Sequence, residues 1–331
     1  MPPLSGPVPI FLASTNYQKE LKAVKAALAE AALLCRRVQR TLAPTALTKQ
    51  DRSPVTLADF GSQALVCRTL REAFPGDPIM AEEDAGALRN GRHAELLSEL
   101  VAQVQRVRPD ARPEDVLDWI DYGQATGYHE RFWTLDPVDG TKGFLRGQHY
   151  AIALALIERG QVVLSGLSCP NMDKGAGAQF VAARGQGGRQ VAADTVRVSS
   201  TSATASARLC ESVEAVHSAH GDAARVVRAL GITRPGVRLD SQAKYAAVAR
   251  GDADIYLRLP RDRTYIERIW DHAAGSLLVT EAGGRVTDCR GRELDFGCGG
   301  RLERNLGIVA TNGVLHDAVI ASLKQLGIGQ G

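Results

Sequence analysis

Two aspartates, Asp136 and Asp139, stand three residues apart in the run Thr134-Leu135-Asp136-Pro137-Val138-Asp139-Gly140-Thr141-Lys142. Two like charges so close repel unless something positive lies between them. The stretch is therefore either a well-solvated turn or a cation site. Pro137 stiffens it, so both carboxylates can point to one side with the Val138 carbonyl between them. Gly140 has no side chain to block an approaching phosphate. The N–H groups of Gly140, Thr141 and Lys142 could open a helix or nest aimed at an anion. Magnesium favours this kind of donor set: a few carboxylates, a carbonyl, waters and substrate phosphate.

Other acids could join. Glu82 follows the short apolar run Ile79-Met80-Ala81, where a side chain would emerge from a sheet. Asp271 stands between Trp270 and His272-Ala273-Ala274-Gly275, which reads as the cap or first turn of a helix. Asp59 lies near the start of another predicted helix, where a surface charge would favour the dipole. Taken singly, each has a plain reading as a solvated turn, a loop acid or a helix cap. Lys244 and Arg258 would be the candidates for a basic clamp only if the ligand carried a second phosphate; their plain readings are a solvated helix face and a strand-end charge. Ser241 precedes the Lys244 helix and could cap it or, with the helix N–H groups, hold a phosphate. His217-Ser218-Ala219-His220 has no cysteine or second histidine pair beside it, which argues against zinc. Arg184-Gly185-Gln186-Gly187-Gly188 lacks a following helix and reads as a hairpin turn, not a dinucleotide fingerprint.

The elements that must position these residues follow from periodicity. Helical spacing covers 17–42 and about 58–74, the latter stopped by Pro75-Gly76. A strand is expected at 79–81. Residues 85–128 read as an insertion with helical pieces at 94–107 and 114–120. Strand-like runs at 132–135, 150–158, 161–168 and 178–183 include a hairpin signal at Arg159-Gly160. Beyond residue 200, short strands (208–213, 254–259, 284–287, 306–310) alternate with helices (222–230, 242–250, 271–282, 314–326), an α/β texture. A boundary near Val198 divides an α+β part, 1–197, from an α/β part, 198–331.

Bulk composition narrows the function classes. The chain has 331 residues, 44% apolar and 23% charged, which is globular. The formal charge of +3 comes without a basic stripe, so nucleic acid is not an expected partner. No apolar run approaches the ~20 residues of a membrane helix, and the start lacks the pattern of a secretory signal. Six cysteines (Cys35, Cys67, Cys169, Cys210, Cys289, Cys298) form no CxxC pair, so reduced thiols in an intracellular enzyme are the default.

Together the pieces resemble the lithium-sensitive, magnesium-dependent phosphatase superfamily that includes inositol monophosphatase and fructose-1,6-bisphosphatase. The resemblance rests on Asp136-Pro137-Val138-Asp139-Gly140-Thr141, Glu82-Glu83 and Trp270-Asp271-His272-Ala273-Ala274-Gly275, in that superfamily's arrangement. A narrower likeness, to the 3′(2′),5′-bisphosphate nucleotidases, rests on six further stretches. They are Ser53-Pro54-Val55-Thr56 with Asp59, Lys142-Gly143-Phe144-Leu145-Arg146, Cys169-Pro170-Asn171, Asp240 to Tyr245, Tyr256 to Pro260, and Ile269 to Gly275. It runs from about residue 9 to the C-terminus.

The resemblance implies a layered α-β-α-β-α sugar-phosphatase fold. It implies two or three magnesium ions on Glu82, Asp136, the Val138 carbonyl, Asp139 and Asp271. Asp59 and Thr141 would be the water-activating pair. Gly140, Thr141, His217, Ser218, Ser241, Lys244, Arg258 and Asp271 would contact substrate. That substrate would be 3′-phosphoadenosine 5′-phosphate, with the sulfate donor 3′-phosphoadenylyl sulfate as a second candidate. A cytoplasmic monomer is expected, or a plastid or mitochondrial protein if a transit peptide is removed. Two rivals stay open: an inositol phosphate phosphatase of the same superfamily and a non-catalytic nucleotide sensor.

Overall fold

The computed structural model describes residues 16–41, 46–48, 54–90, 93–213, 220–260 and 265–329; His217 and Ser218 lie outside them. Helix α1 (Gln18–Thr41) precedes a two-stranded antiparallel pair, β1 (Ala46–Thr48) and β2 (Pro54–Thr56). Helix α2 (Leu57–Ala73) and strand β3 (Ile79–Ala81) follow, then α3 (Gly86–Arg89), α4 (Ala94–Gln105) and α5 (Pro113–Asp121). Strand β4 (Arg131–Asp139) leads into α6 (Thr141–Leu145). Next come β5 (Ala151–Glu158), β6 (Gln161–Cys169), β7 (Ala178–Ala183) and β8 (Gly188–Gln190). The later part contains β9 (Leu209–Glu211), α7 (His220–Ala229), β10 (Val237–Arg238), α8 (Ala243–Ala249) and β11 (Ile255–Arg258). It ends with α9 (Ala273–Glu281), β12 (Arg285–Thr287), β13 (Ile308–Thr311) and α10 (His316–Gln325).

Two larger sheets organise these elements. The first has the order β3-β4-β5-β6-β7-β8, antiparallel except that β3 runs parallel to β4. The second has the order β10-β9-β11-β13-β12. Strand β5 shows why the first sheet is covered on both faces. Side chains alternate across a strand, and Ile152, Leu154 and Leu156 join one core while Ala151, Ala153, Ala155 and Ile157 join another. The first core is completed by α1, α2, α4 and α5, through Val24, Leu28, Leu65, Leu100 and Ile120 among others. The expected insertion, 85–128, is thus packed into the body of the protein.

The second core holds α8 and α9 between the two sheets. Its alanine-rich wall lets these helices approach closely. Gly275 on α9 carries this furthest: a Cβ there would lie 2.3 Å from Tyr245 Cδ2 on α8. The outer face of the second sheet (Leu209, Ile255, Leu257, Val309) is covered by α7 and α10 through Val226, Val319 and Leu323. The layers therefore run α-β-α-β-α, as expected. Among the described residues no helix is long and apolar enough to cross a membrane.

Candidate active site

The sequence reading places Asp136 and Asp139 in a turn; the structure places them at the end of a strand with a bulge. Asp136 pairs with Ala153 and Asp139 with Ala151, so β4 advances three residues while β5 advances two. In a regular strand, residues three apart face opposite sides. One extra residue returns them to the same side, which is what a bulge does. Pro137 occupies the irregularity, having no N–H to offer a ladder. Asp136 Oδ1 accepts the Val138 N–H at 3.2 Å. Gly140 then turns the chain with φ +87° and caps α6, which opens at Thr141 as expected.

Asp59 is brought to this loop from α2. Thr141 Oγ1 lies 3.3 Å from Asp59 Oδ1 and 3.2 Å from the Val138 carbonyl. A hydroxyl has one proton, so it donates to one of them at a time. The other carboxylate oxygen, Asp59 Oδ2, accepts the Thr56 N–H (2.7 Å) and the Thr56 hydroxyl (2.6 Å). Thr56 Oγ1 in turn accepts the Ala58 N–H at 3.1 Å. Asp59 is 1% exposed, so the surface-charge reading is wrong: this acid sits in a buried capping arrangement, aimed at Thr141. Thr56 enters the sequence reading only within the resemblance motif and with no role, although a threonine three residues before an acid is a legible capping signal.

The four acids expected to hold metal influence one another. Burial pushes the Asp136 carboxyl well above the ordinary range, and Glu82, Asp139, Asp271 and Asp59 push it further. Asp139 is also raised by burial; Lys244, the Gln242 N–H and Arg258 oppose this, and Glu82 adds to it. Asp271 is raised to about 7 by burial against the pull of Arg258 and His272, with Asp139 and Glu82 adding to the rise. Residues far apart in sequence thus act on one another as one acidic centre, with Lys244 and Arg258 as its opposing charges. Asp271 does not cap α9: the helix begins at Ala273 after His272, which makes no side-chain capping bond. That leaves the Asp271 carboxylate to Arg258, whose Nη2 stands 3.3 Å away.

Among the described residues, the group whose ligand atoms all lie within 4.8 Å of one another is Glu267, Asp271 and His272, not the expected set. Two of its members are already engaged. Arg258 grips Glu267 with Nε at 2.9 Å and Nη2 at 2.8 Å. His272 Nε2 lies 3.1 Å from Glu267 Oε2, and its Nδ1 lies 2.9 Å from the Tyr245 hydroxyl. Burial alone would raise the Glu267 carboxyl, but Arg258 and His272 hold it at about 2. Glu267 therefore acts as the anchor of Arg258, and Asp271 is the member on which Asp139 and Glu82 also act. Nothing in the sequence spacing marked Glu267 for this part.

The clamp candidates lie at the same centre. Lys244 is 5% exposed, against the reading of a solvated helix face. Its Nζ stands 3.4 Å from the Leu239 carbonyl and 5.3 Å from the centre of the Tyr256 ring. Burial lowers its pKa, and Asp139 is the strongest influence restoring the charge. Ser241 adopts φ +68° and its Oγ accepts the Ala243 N–H at 3.1 Å, a local bond at the start of α8. Gly140 passes so close that a Cβ on it would lie 3.0 Å from Ser241 Cβ. The Lys142-to-Arg146 stretch reaches the same turn: Arg146 Nη2 meets Asp240 Oδ2 at 2.5 Å.

Comparison with known proteins agrees with this architecture. The inositol monophosphatase family matches residues 16–327. A 3′(2′),5′-bisphosphate nucleotidase of Emericella nidulans is 40% identical, covering 94% of this chain and 99% of that protein. One from Schizosaccharomyces pombe is 42% identical over 92% of this chain and 95% of its own. In fold, the chain is similar to an IMPase from Thermotoga maritima, with a TM-score of 0.66 at 22% identity, covering 93% of this chain and 97% of that one. The chain belongs to the inositol monophosphatase family, on its 3′(2′),5′-bisphosphate nucleotidase branch.

Proposed function

We propose that this protein is a magnesium-dependent phosphatase that removes the 3′-phosphate of 3′-phosphoadenosine 5′-phosphate, giving AMP and phosphate. The sulfate donor 3′-phosphoadenylyl sulfate is a second substrate in this reading. The observation that carries the chemistry is Asp136, 2% exposed and crowded by four other carboxylates. Uncompensated charge buried in this way is costly, and a hard divalent cation with oxygen ligands relieves it. Glu82, Asp136, the Val138 carbonyl, Asp139 and Asp271 would hold two or three magnesium ions. When bound, magnesium lowers the pKa of water and stabilises the leaving oxygen of an in-line displacement.

The chain's own residues do the rest. Asp59 has one oxygen held by Thr56, which fixes the other toward Thr141. With Asp59 accepting its proton, the Thr141 oxygen turns a lone pair outward and can take a proton from the attacking water. Gly140, without a side chain, lets this loop pass close to the Ser241 turn. Lys244, Ser241 and Arg258 would hold the second phosphate. Lys244 supports this most directly, because an ammonium whose charge is disfavoured by burial gains from an added anion. The curated relatives bear the nucleotidase name, which favours a nucleotide over an inositol ring. His217 and Ser218 would lie beside the base or ribose. In this reading residues 1–197 carry most of the metal site and residues 198–331 the nucleotide, in a cytoplasmic monomer.

The test is side-by-side turnover of 3′-phosphoadenosine 5′-phosphate and inositol 1-phosphate at equal magnesium. Faster turnover of the nucleotide is expected. A preference for inositol 1-phosphate would overturn the substrate assignment and leave the metal chemistry standing.

A further inference from the structure

Gln242 touches both halves of the acidic centre. It is 2% exposed. Its main-chain N–H donates to Asp139 Oδ2 at 2.6 Å. Its side chain reaches the other way: Nε2 donates to the Trp270 carbonyl at 2.8 Å, and Oε1 accepts the Gly275 N–H at 3.0 Å. A carbonyl only accepts and an N–H only donates, so the amide can sit in one orientation. Trp270 and Gly275 bracket Asp271. One residue therefore holds Asp139 with its main chain and encloses the Asp271 turn with its side chain.

The helix end explains why such a bracket is needed. The first N–H groups of a helix have no partner within it. At α9 the capping residue, His272, makes no side-chain capping bond, because its ring is committed to Glu267 and Tyr245. Gln242 supplies the missing acceptor from another segment. Its own main chain is presented to Asp139 by Ser241, whose left-handed φ of +68° is uncommon for a residue with a side chain.

We propose that Gln242 is a positioning residue: its side-chain amide sets the separation of Asp139 and Asp271, and through it the affinity of the acidic centre for divalent cations. This rests on the magnesium reading given above. Partners that orient metal ligands from behind typically account for about 10–100-fold in metal affinity. Gln242→Met keeps the length and bulk of the side chain, removes both of its hydrogen bonds, and leaves the main-chain N–H in place.

The experiment is calorimetric titration of the full-length, metal-free protein with Mg2+ alone, in wild type and in Gln242→Met, beside urea unfolding of both without metal. The expected result is a dissociation constant about tenfold higher in the variant. A purely structural strut would lower the metal-free unfolding midpoint and leave the dissociation constant of the folded variant unchanged. Equal Mg2+ affinity in a folded variant therefore overturns this inference alone. A wild-type protein that takes up no Mg2+ overturns the magnesium reading and this inference with it. If Gln242→Met does not fold, Gln242→Asn is titrated in its place: weaker Mg2+ binding supports the inference and equal binding overturns it. Asparagine keeps an amide but is one methylene too short to bridge both partners.

Discussion

Replacing Asp271 by asparagine is predicted to flatten the pH dependence of stability in the metal-free protein. The Asp271 carboxyl stands at about 7 in the fold against an ordinary 3.8. A raised carboxyl keeps its proton in the folded state over a range where the unfolded chain has lost it. Its contribution to stability is thus complete below the unfolded value, declines as pH rises, and is gone once the folded value is passed. From about pH 5 to about pH 7 this spans about two units, worth roughly 3 kcal/mol. The side chain is 18% exposed, so water screens part of this and about 2 kcal/mol remains. Urea midpoints in a metal chelator, at about pH 5 and about pH 7, give the measurement. Wild type should lose about 2 kcal/mol more than Asp271→Asn across that interval. Parallel losses in the two proteins would refute the claim that Asp271 belongs to a crowded buried acidic centre. Adding magnesium at the upper pH should restore wild type and leave the variant nearly unchanged.

Further outcomes follow from the same geometry. Thr141→Ala should lower kcat by about a hundredfold, while Thr141→Ser, which keeps the hydroxyl 3.3 Å from Asp59, retains much of the rate; equal losses would remove the proton-handling role. Lys244→Met should raise KM more for the bisphosphate than for 3′-AMP, which lacks the 5′-phosphate; an equal rise for both would mean that Lys244 does not read that group. Gly275→Ala would set a Cβ 2.3 Å from Tyr245 Cδ2 and should cost about 2 kcal/mol of stability in urea unfolding; an unchanged midpoint would show that α8 and α9 have room to part. Lithium is expected to inhibit magnesium-dependent turnover, as the superfamily resemblance implies, and insensitivity would show that this chain does not share that sensitivity.

Much of the scaffold was legible because periodicity reports burial. The stripe of Leu21, Val24, Leu28, Ala31 and Val38, all but the half-buried Leu21 fully in the core, found α1, and the paired apolar runs about Arg159-Gly160 found the β5–β6 hairpin. The acids expected at the site stand out through their motifs, and mutual repulsion links them in one electrostatic neighbourhood. Their local geometry was not. A spacing of three between Asp136 and Asp139 says nothing of the extra residue in β4 that turns both to one side. Asp271 reads as a helix cap because the pattern of an acid before Ala-Ala-Gly is the same whether or not the side chain caps. Asp59 reads as a surface charge because burial at a helix start depends on what packs over it. Gln242, present only inside a resemblance motif, and Glu267 show nothing of their parts in the sequence, since each acts on residues brought near only by the fold.

Everything proposed for this protein depends on the converging acids running metal-dependent hydrolysis of a phosphate monoester. The decisive assay is phosphate release from 3′-phosphoadenosine 5′-phosphate by wild type and Asp139→Asn, with magnesium and with a chelator, beside a circular dichroism check of folding. Release is expected from wild type with magnesium only, and none from a folded Asp139→Asn. Release that survives the chelator, or near-wild-type release from the variant, would show that the acids do not work through a metal.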